Sequence, residues 1–333
     1  MRIAFVFTGG TIGCVVRGGF MGPEKGQPRA LLEAYRARYG ITFDYDTVSP
    51  YTALSENNTG DTVSRLCACV QQLLRAGYEG IVIAHGTDTL QYSAAALSYA
   101  LADTPVPILL VSAAYPIEDP RSNALENLHG ALRFIAEQKT PGVFVSYRNQ
   151  GDAVRIHRGA RLLESEAFCD RVGSICGAEV GFFDETWRFH KNARDAALPD
   201  AIQALGAPTL SAVCPEILRV TPYPGMCYPP LLERVRYVLH GSFHSGTVNT
   251  ACEEARRFFA QAKEKGIPVF LTGVTRGVAY ESTQAFAQLG IQPLFDIAPI
   301  AAFMKLWMLH AKDPNGRVSA EQLLAPLAGD VLP

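Results

Sequence analysis

Polar side chains follow two apolar segments of this chain at the point where each segment ends. Residues 2–7 run into Thr-Gly-Gly-Thr-Ile-Gly at 8–13, and residues 80–84 run into His-Gly-Thr-Asp-Thr at 85–89. In an open α/β sheet, ligands bind in the crevice outside the carboxyl ends of the strands. We therefore expect both loops to face one pocket, with glycines that let the backbone approach a ligand closely.

The side chains of these loops have the chemistry of nucleophilic attack on a small polar substrate. Thr11 and Thr87 carry hydroxyls, which are weak nucleophiles unless a base lies beside them, and Asp88 supplies a carboxylate next to Thr87. Two structural interpretations stay open: Thr11 as a loop or capping hydroxyl, and Asp88 as the N-cap of a helix beginning near Thr89. The capping role of Asp88 is compatible with a role in a site. We interpret His85 as a packed residue at a strand end.

The rest of the chain alternates apolar strands with helical patterns, which favours βαβ units and a parallel sheet. The patterns predict strands at 107–112, 142–146, 154–157, 217–220, 236–239 and 268–271. They predict helices at 89–102, 123–138, 251–265, 282–288 and 295–311, with helical spacing also between 63 and 74.

The two motifs, in this order and spacing, resemble the bacterial L-asparaginase family, in particular its cytoplasmic-type members. Further matches cover nearly the whole chain and lie at residues 113–117, 123–128, 223–225, 267–272 and 296–306. The resemblance implies an α/β fold with a larger, flavodoxin-like parallel-sheet domain at the amino terminus and a smaller α/β domain at the carboxyl terminus.

By this resemblance, Thr11 is the primary nucleophile and Thr87 the second catalytic threonine. Asp88 holds the α-amino group of the substrate and supports Thr87. Ser55 and Glu56 contact the α-carboxylate and the α-amine, and Glu56 is the variant that dual asparaginase–glutaminase members tend to carry. The structural alternative for Ser55-Glu56-Asn57 is an N-cap cluster ahead of a helix at 59–76.

The remaining substrate-binding positions that the resemblance implies are Gly10, Gly86 and Phe20. Phe20 is a departure, since the mobile loop after the first motif normally holds a tyrosine that helps to activate the nucleophile. A phenylalanine can close over the pocket and exclude water, but it cannot relay a proton.

The second departure concerns the family's catalytic lysine, which follows an Arg-Gly-x-Arg turn. That turn is present at 158–161, but the counterpart of the lysine is Glu164, or Gly159 when the comparison is anchored downstream at Ala167-Phe168. Arg161 could supply positive charge but cannot act as a base.

A late tyrosine, Tyr280, matches a family position, and a buried aromatic of the second core is the alternative interpretation.

Bulk properties limit the partners. A chain of 333 residues predicts two domains, which we place at 1–188 and 213–333 with a linker at 189–212. The net charge of −2 gives no electrostatic reason to expect nucleic acid or an anionic membrane. The absence of a signal-peptide pattern predicts a cytoplasmic location. The eight cysteines have no zinc-ligand spacing, so we expect no metal and mostly buried, reduced thiols.

Together these features predict an amidohydrolase without a cofactor. It would convert asparagine, glutamine or a related amino acid to the acid and ammonia through a threonine nucleophile. By the resemblance to asparaginases, its sites would lie between subunits of a homodimer or homotetramer. One alternative is a catalytically impaired homologue that binds an amino acid as a sensor or regulatory protein. A phosphate or dinucleotide module at Gly9-Gly10 is weak, because neither a GxGxxG nor a Walker pattern is present.

Overall fold

The computed structural model describes residues 1–10, 14–17, 20–23, 27–195, 203–277 and 279–333, with only the backbone described at 14–17, 20–23 and 27–29. Its strands are β1 (Arg2–Phe7), β2 (Cys14–Arg17), β3 (Phe20–Pro23), β4 (Asp44–Val48), β5 (Gly80–Ala84), β6 (Pro107–Val111), β7 (Gly142–Arg148), β8 (Val154–Arg158), β9 (Gly181–Phe183), β10 (Phe189–Lys191), β11 (Ile217–Val220), β12 (Tyr237–Gly241), β13 (Val269–Val274) and β14 (Ile291–Phe295). Its helices are α1 (Gln27–Tyr39), α2 (Gly60–Leu74), α3 (Leu90–Ala100), α4 (Ala124–Arg133), α5 (Glu253–Glu264), α6 (Phe286–Leu289), α7 (Pro299–Lys312) and α8 (Ala320–Leu324).

The large sheet has the strand order β10-β9-β8-β7-β6-β5-β1-β4. Five neighbouring strands pair in parallel, namely β4, β1, β5, β6 and β7. Strands β8, β9 and β10 continue the sheet in antiparallel pairs. Counted along the chain, the parallel strands follow the order 2-1-3-4-5, which is the flavodoxin-like winding. The predicted fold class is therefore confirmed.

Helices cover both faces of the parallel strands. Strands β5 and β6 are buried along their whole length, as expected of parallel strands that read as continuous apolar runs. One core cluster joins one face of the sheet to α2, α3 and α7, and a second joins the other face to α1 and α4.

The second sheet contains β11 to β14, all parallel and in chain order. Helix α7 of this domain packs against α3 of the first, so the two domains share one hydrophobic cluster. A buried ion pair lies at this junction: Lys305 Nζ is 2.8 Å from Asp330 Oδ2, which also accepts a hydrogen bond from the Tyr99 hydroxyl at 3.1 Å. The relative placement of the domains is thus fixed by buried contacts.

Some elements differ from the sequence prediction. Residues 291–295 form strand β14, and the last long helix begins at Pro299 instead of 295. Proline fits the first turn of a helix, where its missing N–H has no partner to lose. Strand β10 lies in the range that we predicted as linker and pairs with β9 in the large sheet. Strands of three residues show too little alternation to be recognised from sequence.

The prediction of mostly buried cysteines is wrong for the thiols that the structure describes. Among those seven free cysteines only Cys67 is buried, and four are exposed, namely Cys169, Cys176, Cys227 and Cys252. The exposed cysteines all lie in connecting segments outside the α-helices and strands. In such segments the residue type alone does not predict whether a side chain is buried.

The Arg-Gly-x-Arg turn has a structural role. Arg158 donates two hydrogen bonds to Asp195, at 2.6 and 2.9 Å, and Arg161 donates a third at 2.9 Å. The Arg161 side chain, 1% exposed, also donates to the carbonyls of Gly329 and Ala178. The positive charge that we considered for a site at Arg161 is therefore buried and paired with Asp195, a carboxylate that it shares with Arg158.

Removing the Asp195 carboxylate should be strongly destabilising, because it leaves two buried guanidinium groups without their counter-charge. We expect Asp195→Ala to lower the free energy of unfolding by about 3–5 kcal/mol. Glu253→Ala is the matched control, since it breaks an exposed pair with Arg257 and should cost under about 1 kcal/mol. Urea unfolding of both variants measures the difference, and equal losses would contradict this role of Asp195.

Candidate functional site

The site lies at the topological switch point of the large sheet. Strand β1 is flanked by β4 and β5, and the loops after all three strands meet at their carboxyl ends. Gly10 N donates to the Ala53 carbonyl at 3.2 Å, and Ala53 N donates to the Thr8 carbonyl at 3.0 Å. Thr8 itself is buried, and its hydroxyl donates to the Ala84 carbonyl at 3.0 Å, so its role is structural.

The three loops touch through glycines. Gly10 has φ of 81°, a left-handed conformation that favours glycine. A Cβ on Gly10 would overlap the N and Cα of Gly86, and a Cβ on Gly86 would overlap the side chain of Ser55. The glycines of both motifs are therefore required for the loops to close on one another.

Ser55 connects the loop after β4 to the loop after β5. Its hydroxyl donates to Asp88 Oδ2 at 2.9 Å and accepts from Asp88 N at 3.3 Å. Its carbonyl accepts from the Thr89 hydroxyl at 3.0 Å. Ser55 is 4% exposed, whereas Asp88 is exposed. A buried serine thus orients an accessible carboxylate.

The other site candidates differ in accessibility. Thr87 is half-buried, and Glu56 is exposed and forms no hydrogen bond or ion pair with the residues that the structure describes. Thr11 lies outside the described residues. Phe20 lies in strand β3, where the backbone alone is described. The structure thus brings Gly10, Ser55, Glu56, Gly86, Thr87 and Asp88 to one edge of the sheet.

His85 is a packed residue at the end of β5, as interpreted from the sequence. It is fully buried, and burial lowers the pKa of its imidazole. Its Nδ1 lies 2.8 Å from the Gly86 carbonyl and its Nε2 lies 2.9 Å from the Ser93 hydroxyl. These partners imply a neutral ring with the proton on Nδ1.

Asn58 is a site-supporting residue that sequence reasoning missed. Its Nδ2 donates to the Thr89 hydroxyl at 2.9 Å and lies 3.5 Å from His85 Nε2. It therefore links the loop after β4 to both ends of the His85–Thr89 motif. The signal was present, since Asn58 directly follows the Ser55-Glu56-Asn57 segment, but nothing in the sequence indicates which loop it contacts.

Sterics bear on the two predicted counterparts of the family's lysine, Gly159 and Glu164. A Cβ on Gly159 would lie 2.6 Å from Ser98 Oγ and 2.7 Å from the Ala94 carbonyl of α3, so this position holds no side chain. The clash favours Glu164 over Gly159 as the predicted counterpart of the lysine. Glu164 lies beside α3, where the Tyr92 hydroxyl donates to its carboxylate at 3.2 Å.

Tyr280 is not a buried aromatic of the second core, because 46% of its surface is exposed. It lines a cavity of about 840 Å³ in the smaller domain, together with His244, Thr275 and Arg276. These residues follow strands β12 and β13, so the cavity lies at the carboxyl ends of the second parallel sheet.

No group of three or more His, Cys, Asp or Glu side chains in the described ranges is arranged to hold a metal ion. Among the helices that the structure describes, none is long and apolar enough to span a bilayer.

Comparison with known proteins identifies the family and the fold. The model of the asparaginase amino-terminal domain matches residues 2–192, which include both motifs and the Ser55 loop. The chain belongs to the asparaginase family. Solved structures show the same fold: the thermostable L-asparaginase from Thermococcus kodakarensis aligns over 100% of both chains with a TM-score of 0.80 at 19% identity. L-asparaginase I from Vibrio cholerae aligns with a TM-score of 0.79 at 22% identity, over 99% of this chain and 98% of that one.

Curated relatives carry several names. One component of the glutamyl-tRNA(Gln) amidotransferase from Haloquadratum walsbyi is 37% identical over 42% of this chain and 32% of its own length. A 60 kDa lysophospholipase from Mus musculus is 27% identical over 92% of this chain and 58% of its own. The L-asparaginase from Thermococcus kodakarensis is 29% identical over 71% of this chain and 71% of its own length. The chain thus spans between about a third and three fifths of the first two relatives.

The glycine contact between the loops can be tested by a double-mutant cycle. Gly86→Ala should destabilise the protein by about 1–3 kcal/mol through overpacking. The same change should cost clearly less in a Ser55→Gly background, because the overlapping atoms of Ser55 are then gone. Chemical unfolding of the four proteins gives the coupling.

Gly173→Ala serves as the control, since its nearest neighbour would be Leu163 Cδ1 at 4.0 Å. Its effect should be the same with and without Ser55→Gly. A Gly86→Ala cost that is independent of residue 55 would show that the loops do not touch in solution as described.

Proposed function

We propose that the chain hydrolyses the side-chain amide of asparagine, glutamine or a related free amino acid to the acid and ammonia. The observation that carries this proposal is the Ser55–Asp88 hydrogen bond at the switch point, which orients an exposed carboxylate beside Thr87. Ligands of flavodoxin-like sheets bind at this place. The exposed Glu56 adds a second carboxylate that has no partner among the described residues.

The proposed reaction has two steps. The hydroxyl oxygen of Thr11 attacks the amide carbon, the C–N bond breaks, and the nitrogen leaves as ammonia with the hydroxyl proton. The resulting ester is then cleaved by water, which gives the acid and restores the threonine. Asp88 and Glu56 bind the α-ammonium group by charge-assisted hydrogen bonds. Thr87 lies beside Asp88 at the reacting group.

The reaction should be slow on asparagine. General acid–base assistance contributes about 10²–10⁴-fold to a rate, and this chain has Glu164 in place of the lysine and Phe20 in place of the loop tyrosine. A substrate that carries a polar group of its own to the positions of the missing lysine and tyrosine should react faster. Amide chemistry on a glutamyl group is what the name of the amidotransferase relatives describes.

The second candidate is an impaired homologue that binds an amino acid as a sensor. The ion pair of Glu164 favours it, because no free base is left at the lysine position. Both candidates share the amino-acid pocket and differ only in turnover.

We further propose that the site is completed by a neighbouring subunit in a homodimer or homotetramer. The cavity at the carboxyl ends of the second sheet is open and lined by the exposed Tyr280. Sedimentation of an active monomer would contradict this assembly. The predicted cytoplasmic location stays a prediction.

Replacing either catalytic threonine should abolish turnover. We expect Thr11→Val and Thr87→Val each to lower kcat by at least about 10²-fold with melting temperatures near that of the wild type, because the hydroxyls act only in the reaction. Ammonia release from a panel of asparagine, glutamine and their derivatives provides the rates. Thr186→Val, in the exposed turn between β9 and β10, should leave the rate unchanged.

If both valine variants keep wild-type rates on every amide cleaved, Thr11 is not the nucleophile. If no amide is cleaved but an amino acid raises the melting temperature, the sensor is correct and the amidohydrolase is wrong.

Glu56 should affect the choice between substrates. One methylene in a pocket is worth about 1–3 kcal/mol of discrimination, so Glu56→Gln should change the ratio of kcat/KM for asparagine and glutamine while leaving the melting temperature unchanged. Glu118→Gln, in the loop after β6, is the control. An unaltered ratio would place Glu56 outside the substrate-binding shell.

A further inference from the structure

Three side chains from distant parts of the chain meet beside helix α3. Tyr92 lies in the first turn of α3, Glu164 lies in the segment after the Arg-Gly-x-Arg turn, and Arg219 lies on β11 of the second domain. Arg219 Nη1 donates to the Tyr92 hydroxyl at 2.8 Å, and that hydroxyl donates to Glu164 Oε1 at 3.2 Å. Arg219 Nη2 closes the triangle to Glu164 Oε2 at 3.2 Å.

The triangle is seated on an aromatic ring. The guanidinium of Arg219 lies 5.4 Å from the centroid of the Phe303 ring, and the Tyr92 ring meets Phe303 edge-on at 6.1 Å. Phe303 belongs to α7 of the second domain. A guanidinium that lies over an aromatic ring and is hydrogen-bonded to two side chains has fewer open orientations than that of an ordinary exposed ion pair.

The start of α3 carries the catalytic candidates. Thr87 and Asp88 come directly before the helix, and the Thr87 carbonyl accepts from Leu90 N at 3.4 Å. Gln91 Nε2 donates to the Asp88 carbonyl at 3.3 Å. Tyr92 lies one helical turn after Asp88, so the first turn of α3 links the Tyr92 side chain to the loop that precedes the helix.

We propose that Arg219 is a positioning residue for the Thr87–Asp88 loop, acting through Tyr92 and Glu164. The proposal rests on the proposed amide hydrolysis. Where the family places a lysine, this chain has a glutamate, and the positive charge comes instead from a strand of the second domain. Glu164 and Arg219 therefore form a matched pair, in which Arg219 donates hydrogen bonds both to the Glu164 carboxylate and to the Tyr92 hydroxyl.

The matched pair makes a charge-swap experiment decisive. We expect Arg219→Met and Glu164→Gln each to lower kcat about tenfold or more with KM changed little, since a misplacement of about 1 Å can cost about 10²-fold in rate. Tyr92→Phe should act in the same direction. The double variant Glu164→Arg with Arg219→Glu rebuilds the triangle with reversed polarity and should recover most of kcat.

Arg257→Met is the matched control, because Arg257 forms exposed pairs within α5 of the same domain. It should leave kcat and KM unchanged. A brace between domains without a positioning role would lower the melting temperature of Arg219→Met but not its kcat, and that result overturns the proposal. A swap variant no more active than the single variants also overturns it.

Hydrogen exchange separates this proposal from the proposed function. Amides of residues 85–92 should exchange faster in Arg219→Met than in the wild type or Arg257→Met. If the wild type cleaves no amide and this difference is present, the positioning role stands and the amide hydrolysis is wrong. If exchange at 85–92 is the same in all three proteins, the positioning role is wrong whatever the activity.

Discussion

Close contact between backbones at the end of β1 and β5 is the constraint on which the site depends. Gly10 and Gly86 touch because neither has a Cβ, and the side chain of Ser55 fills the space beside Gly86. This contact lets the buried Ser55 hydroxyl reach the carboxylate and the amide of Asp88. The flavodoxin-like winding supplies the crevice, and the glycines let the loops close around it.

The charges at this edge follow from the same arrangement. Asp88 and Glu56 present two exposed carboxylates, which suits the ammonium group of an amino acid. Glu164 would add a third carboxylate nearby, but Arg219 from the second domain neutralises it. In this chain the second domain therefore contacts α3 through the hydrogen bond from Arg219 to Tyr92, and it also has an open cavity of its own. Burial raises the pKa of the Tyr92 hydroxyl, and the charge of Arg219 opposes that rise.

The fold was predictable because its signals are local. Strands β5 and β6 are continuous apolar runs, and the motifs after β1 and β5 mark the switch point. Short strands such as β10 were missed because three residues show no usable period.

Of the site, the Gly10, Ser55, Gly86 and Asp88 group could be placed from sequence. Its partners could not: Asn58 and Arg219 act across 31 and 127 residues of chain, on Thr89 and Tyr92 respectively, and no spacing rule indicates such contacts. The packing of Gly159 against α3, which favours Glu164 over Gly159 as the counterpart of the lysine, was likewise not visible in the sequence.

Mass spectrometry of protein quenched in acid during turnover tests the central claim most directly. With an amide that the chain cleaves, the account predicts an added mass equal to the substrate minus ammonia, on the tryptic peptide from Ile3 to Arg17, with fragmentation placing it on Thr11. The Thr11→Val variant should show no such adduct. An adduct on the peptide from Ala76 to Arg121, which contains Thr87, would contradict the assignment of the nucleophile.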